Sequence, residues 1–197
     1  LRLLTPLCSS EYSTTKSPFN PYMMEAIAVA FAVDVPSIAL LVLPSSSSVM
    51  RAVWELRELG VNAVGLDLQY AAKGRSHLAS GGEAKSANPT LLVSTLATTR
   101  GIDLPSLSHV FLYGLPEGPR VNAKSVDAYL HISGRVGRFG RGGRVVTFVE
   151  DDGLVSEEFD ADEDEGNEDA GRAGDAWRMN RILKTVKVQP TQFPVFD

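Results

Sequence analysis

The chain has 197 residues, of which 44% are hydrophobic and 22% charged, and its formal net charge is −5. This length and composition favour a soluble globular domain with its own core over a disordered chain. The longest apolar runs, Ala26–Val33 and Ile38–Leu43, fall far short of the roughly 20 residues that cross a bilayer. One cysteine, Cys8, and three histidines exclude an intrachain disulfide and a Cys/His metal cluster. We therefore expect an intracellular protein that does not span a membrane and whose own residues bind no metal.

The net charge conceals one strongly acidic stretch. Residues 1–149 carry 14 Lys and Arg against 10 Asp and Glu, whereas residues 150–169 carry 12 acidic residues and no basic one. Because like charges at this density repel, we expect 150–174 to be an acidic disordered insert, with mimicry of a phosphate backbone as the alternative. The acidic balance therefore does not argue against a nucleic-acid surface on the rest of the chain.

Helical and strand patterns alternate along the chain. The predicted strands are Ile38–Leu43, Val61–Leu68, Leu91–Ser94, Val110–Tyr113 and Arg144–Val149. The predicted helices are Tyr22–Val33, about Ser47 to Leu59, Ser125–Val136 and Ala176–Val186. In the second of these helices we expect Trp54 and Leu56 to lie in the core. Residues 1–20 lack periodicity, and 71–89 are typical of a surface loop. We expect an α/β domain over 21–149 with a mainly parallel sheet, on which a C-terminal helix and tail, 175–197, docks.

Ligands of such sheets bind in the loops beyond the carboxyl ends of the strands, and three of these loops offer phosphate-binding chemistry. The loop at 94–105 combines hydroxyls and backbone amides with Arg100 and with Asp103, whose carboxylate suits a ribose hydroxyl. The segment at 134–144 places four arginines three residues apart among glycines, so that guanidinium groups can approach a polyphosphate closely. The serines at 45–48 follow a buried strand and form either a phosphate-contacting loop or a linker.

The order and spacing of these residues resemble motifs V and VI of superfamily 2 helicases, most closely the DEAD-box RNA helicases. Motif V corresponds to Ser94–Asp103 and motif VI to Tyr129–Arg138, within a resemblance that covers roughly Ile38–Val149. A less specific likeness to motif IV falls on Leu40–Pro44 and the serines that follow. The resemblance implies a three-layer RecA-like fold, the C-terminal lobe of an ATP-dependent RNA helicase.

The same resemblance implies a role for each matching residue. It assigns catalytic contacts with the nucleotide to Arg135 and Arg138, with Arg138 as the arginine finger, and further nucleotide binding to Gly101 and Asp103. It assigns contacts with the RNA backbone to Ser45, Ser46, Thr95, Arg100 and Gly101. His131 would couple the nucleotide site to the RNA site. Related arginine fingers accelerate phosphoryl transfer by several orders of magnitude.

Two positions depart from the family pattern. Leu96 stands where DEAD-box proteins usually have Asp, and Ile132 stands where they usually have Arg. Loss of these polar groups favours an alternative function, a degenerate RNA- or ribosome-binding scaffold that does not unwind duplexes. An unrelated flavodoxin-like binding module is a third hypothesis, which requires both motif matches to be accidental.

The resemblance also implies which molecules the whole protein binds. ATP and Mg²⁺ would be held mainly by a second, N-terminal RecA-like lobe, because this sequence has no Walker A motif: its nearest approach, Lys85-Ser86, follows Ala84 where a glycine is required. The chain alone should therefore not hydrolyse ATP. Its expected partners are RNA, the N-terminal lobe and a ribosomal or other RNP particle, with the mitochondrion as the first expected location and the nucleolus as the second.

Overall fold

A computed structural model describes residues 17–36, 38–66, 90–99, 104, 107–115, 121–137, 142–150 and 174–191. Within them, the strands are β1 (Ile38–Leu43), β2 (Ala63–Gly65), β3 (Thr90–Thr95), β4 (His109–Tyr113) and β5 (Arg144–Phe148). The helices are α1 (Pro21–Val33), α2 (Val49–Glu58), α3 (Leu96–Thr99), α4 (Ala123–Ser133) and α5 (Asp175–Val186). The strands form one sheet in the order β2-β3-β1-β4-β5, and every neighbouring pair is parallel.

The sheet separates two apolar clusters, which makes the domain a three-layer α/β structure. Alternate residues of β1 point to opposite faces, so Leu41 and Leu43 pack with α1 and α2 while Leu40 and Val42 pack with α4 and α5. Because β1 is central, both of its faces are buried, which explains its uninterrupted apolar sequence. The α/β fold with a mainly parallel sheet is confirmed. Among the described residues, no helix is both long enough and apolar enough to cross a membrane.

The boundaries of several predicted elements need correction, most of them by one or two residues. The strand predicted at Val61–Leu68 begins later, at Ala63, because the Val61 amide donates to the Leu56 carbonyl (2.9 Å) in the turn that ends α2. Asp67 and Leu68 lie outside the described residues. The strand predicted at Leu91–Ser94 extends through Thr95, and a single helical turn follows it. The helix predicted over Ser125–Val136 is α4, which ends at Ser133.

Trp54 was predicted to lie in the core, and this is wrong. Its side chain is 49% exposed, whereas its neighbours Val53 and Leu56 are buried. Each residue advances about 100° around a helix, so Trp54 falls on the face of α2 that points away from the sheet. There the guanidinium carbon of Arg51 lies 4.8 Å from the ring centroid, a cation–π arrangement.

Asp34 connects three elements at the amino ends of β4 and β5. It is the C-cap residue of α1, and its Oδ2 atom lies 2.9 Å from Nε2 of the buried His109 and 2.6 Å from Nη1 of Arg144. The Nδ1 atom of His109 lies 2.9 Å from the hydroxyl of Ser108. One carboxylate therefore ties α1 to two neighbouring strands, an interaction that the sequence pattern did not indicate.

Removal of this carboxylate should destabilise the domain. We expect Asp34→Ala to lower the free energy of unfolding by about 1–3 kcal/mol, because the buried His109 ring loses a partly buried hydrogen bond. Arg144→Ala should cost about 1 kcal/mol or less, because the Arg144 side chain is 65% exposed and water screens its ion pair. Urea unfolding of the two variants and the unchanged chain measures the difference. Equal losses in the two variants would contradict this ranking.

Alkaline pH should weaken the fold through two tyrosines. Burial raises the pKa of Tyr113 above its ordinary value of 10.0, and a hydrogen bond from the backbone amide of Asn20 (2.7 Å) lowers it by a smaller amount. Burial likewise raises the pKa of Tyr129, opposed by a hydrogen bond with Thr147. Because the unfolded chain loses these protons first, stability should stay constant below the ordinary value and fall as pH rises through the folded pKa values.

The measurement is the urea midpoint between about pH 8 and about pH 11. The chain in which Tyr113 and Tyr129 are both replaced by phenylalanine should show a shallower alkaline decline than the unchanged chain. A variant whose midpoint falls just as steeply would show that other groups cause the decline.

Candidate nucleotide and RNA site

The serines at 45–48 and Thr95, the threonine of the motif V segment, lie at the same edge of the sheet. Strands β1 and β3 are neighbours in register, with Leu43 opposite Thr95 at their carboxyl ends. Ser45 and Ser46 follow β1 in an exposed turn, whose Ser47 amide donates to the Pro44 carbonyl (3.0 Å). Parallel strands thus bring together hydroxyls that lie about 50 residues apart in the sequence. Because Ser45 and Ser46 are exposed and have small side chains, a phosphate backbone can approach the protein closely at this edge.

A small network of hydroxyl groups positions Thr95. The Thr98 hydroxyl lies 2.6 Å from the Ser94 hydroxyl and 3.1 Å from the Thr95 hydroxyl, and it accepts from the Thr95 amide (3.1 Å). It also donates to the Thr95 carbonyl at 3.2 Å. Since Thr98 has one proton to donate, a Thr98 that donates to this carbonyl can only accept from the Thr95 and Ser94 hydroxyls, which fixes the direction of the network. Sequence reasoning missed Thr98, although hydroxyls three residues apart are typical of one helical turn.

The end of α4 holds His131 and Arg135 against each other. The helix begins in a capping box. The side-chain oxygen of Asn122 accepts from the Ser125 backbone amide (3.0 Å), and the Ser125 hydroxyl accepts from the Asn122 backbone amide (2.8 Å). One turn from His131, Arg135 is 7% exposed, and its Nη2 atom lies 2.7 Å from Nε2 of His131. A guanidinium can only donate, so Nε2 of His131 accepts and a neutral ring carries its proton on Nδ1. The pair therefore restrains the Arg135 side chain.

The turn after α4 depends on two glycines. Gly137 has a φ of 73°, in the left-handed region that L side chains rarely adopt. Gly143 passes so close to this turn that a Cβ atom there would lie 2.6 Å from Cβ of Val136 and 2.8 Å from the amide nitrogen of Gly137. The approach of β5 to the end of motif VI thus requires a residue without a side chain at position 143. The sequence showed several glycines here, but not which of them is in close contact.

Leu96 and Ile132, the two departures from the family pattern, are both core residues. They are 4% and 1% exposed and belong to the same apolar cluster. They also line one small cavity at the carboxyl ends of β1 and β4. The structure therefore brings together two positions that lie 36 residues apart in the sequence.

Several of the predicted site residues lie outside the described residues: Arg100, Gly101, Asp103 and Arg138. The positions that are described, Ser45, Ser46, Thr95, His131 and Arg135, fall into two groups, one at the ends of β1 and β3 and one at the end of α4. Among the described residues, no three His, Cys, Asp or Glu side chains come together in a way that could hold a metal ion.

Comparison with known proteins identifies the family. Residues 31–140 match the model of the helicase conserved C-terminal domain. The ATP-dependent RNA helicase dbp-5 of Neurospora crassa is 39% identical over 85 residues, which cover 43% of this chain and 18% of that protein. The ATP-dependent RNA helicase SrmB of Haemophilus influenzae is 37% identical over 95 residues, which cover 48% of this chain and 20% of that protein. The chain thus spans about a fifth of the length of these curated relatives.

The fold agrees with the sequence match. A solved structure of the C-terminal domain of the DEAD-box protein Dbp5 superimposes with a TM-score of 0.60 at 18% identity, covering 90% of this chain and 86% of that structure. At this identity the likeness concerns the fold alone, but the family match covers more than half of the chain and includes both arginine-bearing and threonine-bearing segments. The chain belongs to the helicase conserved C-terminal domain family, and its fold is the one seen in the C-terminal domain of the DEAD-box protein Dbp5.

Proposed function

We propose that this chain is the lobe of an ATP-dependent RNA helicase that binds the RNA backbone and supplies arginine fingers to ATP held between two lobes. The observation that carries the proposal is the end of α4, where Arg135 is buried and restrained by His131 within the matched family domain. A guanidinium held in this way suits phosphate oxygens, because its donors are fixed in direction before the ligand binds.

The RNA would bind at the carboxyl ends of β1 and β3. Ser45, Ser46 and Thr95 offer hydroxyls there, and Arg100 and Gly101 follow in the same motif. Contacts of this kind are to phosphate and sugar, so we expect weak sequence preference and a strong dependence of affinity on salt.

The nucleotide would be shared between this lobe and an N-terminal one. Arg135 and Arg138 would bind its phosphates from this side, Asp103 would bind its ribose, and Gly101 would also contact the nucleotide. The other lobe would supply the P-loop and the groups that hold Mg²⁺. Transfer of the ATP phosphoryl group to water would allow the closed cleft to open again. Closure of the cleft would complete the site and bend one RNA strand out of the duplex.

A second candidate function is a scaffold that binds RNA, a ribosome or another RNP particle without unwinding. Leu96 and Ile132 favour it, because both replace residues that are usually charged in the family by buried apolar ones. The scaffold would retain the RNA-binding edge and would not require a functional nucleotide site.

The two functions are distinguished by ATP hydrolysis in the full-length protein that carries this chain, measured with and without single-stranded RNA. Hydrolysis that RNA stimulates supports the helicase, and the isolated 197-residue chain, which has no Walker A motif, should show none. RNA binding without any hydrolysis by the full-length protein would overturn the helicase proposal in favour of the scaffold.

A further inference from the structure

Leu96 and Ile132 close one apolar recess between the two proposed binding regions. Leu96 directly follows Thr95 and begins α3, while Ile132 lies in the last turn of α4, between His131 and Arg135. The recess is lined by apolar groups of several elements, among them Val42, Pro44, Leu96, Leu112, Leu115 and Ile132. Its remaining cavity of about 10 Å³ is at the lower limit for a single water molecule.

We infer that Leu96 and Ile132 are positioning residues that couple RNA binding to nucleotide binding by apolar packing. The inference rests on the proposed function. A closely packed interior transmits displacement, because side chains with no free volume cannot move independently. A shift of Thr95 on binding RNA therefore moves Leu96 against its neighbours in the recess, and Ile132 responds together with the turn that carries His131 and Arg135.

The packing also accounts for the apolar residues found at both positions. An aspartate at position 96 beside Ile132, or an arginine at position 132 beside Leu96, would place an unpaired charge among apolar side chains at high cost. In this recess apolar contact therefore takes the place of charged groups at both positions.

The test is the coupling between ligands in the full-length protein. The dissociation constant for a single-stranded RNA is measured with and without a non-hydrolysable ATP analogue, and the ratio of the two constants is the coupling. Leu96→Ala and Ile132→Ala should each lower this ratio by about five-fold or more. The volume-conserving variants Leu96→Met and Ile132→Leu should stay within about two-fold of the unchanged protein.

Leu56→Ala is the matched control, because Leu56 is fully buried on the opposite face of the sheet. It removes the same atoms as Leu96→Ala but should leave the coupling unchanged, which separates coupling from general loss of stability. A ratio in the Leu96 and Ile132 variants equal to that of the Leu56 variant would overturn the inference.

A charge pair gives a second, independent measurement. Leu96→Asp and Ile132→Arg should each abolish the coupling when introduced alone, and the double variant should regain part of it, because the two charges then compensate each other. A double variant that couples no better than either single variant would contradict shared packing. If the full-length protein binds RNA but hydrolyses no ATP, the proposed function itself fails; if it hydrolyses ATP and only the coupling ratios are unaffected, this inference alone fails.

Discussion

In the full-length protein, Arg135→Ala and Arg138→Ala should each lower the rate of RNA-stimulated ATP hydrolysis by about 100-fold or more. Negative charge on the transferring phosphoryl group is stabilised by guanidinium groups that are already in place, and this stabilisation is lost with the side chain. Arg135→Lys should recover only part of the activity, because an ammonium group cannot donate to two oxygens in the fixed geometry of a guanidinium. Steady-state hydrolysis at saturating RNA and constant salt measures all three variants.

Lys124→Ala is the control for this comparison. Lys124 is an exposed cation in the first turn of the same helix, α4, so its removal changes the net charge equally without touching the proposed nucleotide contacts. Thermal unfolding of the Arg135 variants checks that the buried side chain is not required for folding. Hydrolysis that survives in both alanine variants would show that neither arginine reaches the reacting phosphate.

Gly143→Ala should disrupt the turn that leads from α4 into the arginine-bearing segment. An added Cβ atom would lie 2.6 Å from Cβ of Val136 and 2.8 Å from the amide nitrogen of Gly137, so one of these groups must move. Overpacking of this kind costs about 1–3 kcal/mol of unfolding free energy. We expect hydrolysis to fall on the order of 10- to 100-fold, because small displacements of phosphate-binding groups have large effects on rate.

Gly142→Ala provides a closely matched comparison, since a Cβ atom at Gly142 would meet no described atom within 4 Å apart from those of its chain neighbours. Urea unfolding and RNA-stimulated hydrolysis of the two variants should therefore diverge, with Gly142→Ala close to the unchanged protein. If the neighbouring substitutions behave alike, close contact with the turn does not explain the glycine at position 143.

The sequence predicted the fold because a parallel sheet buries both faces of its central strands. Continuous apolar runs such as Ile38–Leu43, interrupted by helices with three- and four-residue apolar spacing, are sufficient to indicate an α/β domain. Boundaries were predicted less well, since they depend on single hydrogen bonds. The Val61 amide, for example, is used by the turn after α2 rather than by the sheet.

Side-chain burial on α2 shows the same limit at the level of one residue. Trp54 is strongly apolar, and hydrophobicity alone predicts a core position. Its direction around the helix, relative to a sheet that the sequence does not locate, leaves it 49% exposed instead. Only the packing of α2 on that sheet decides which apolar residues are buried.

By itself, the sequence determined the class of the domain and the motifs that identify its family, because residue types in a fixed order and spacing are local information. The tertiary structure decided which distant residues act together: Leu43 beside Thr95, Gly143 against Val136, and Leu96 with Ile132 around one recess. These relations arise because parallel strands and crossing helices join segments that the chain separates widely. The motifs therefore indicate which residues of the proposed site bind ligands. The inferred coupling between RNA binding and nucleotide binding depends instead on close packing, which a local sequence pattern does not show.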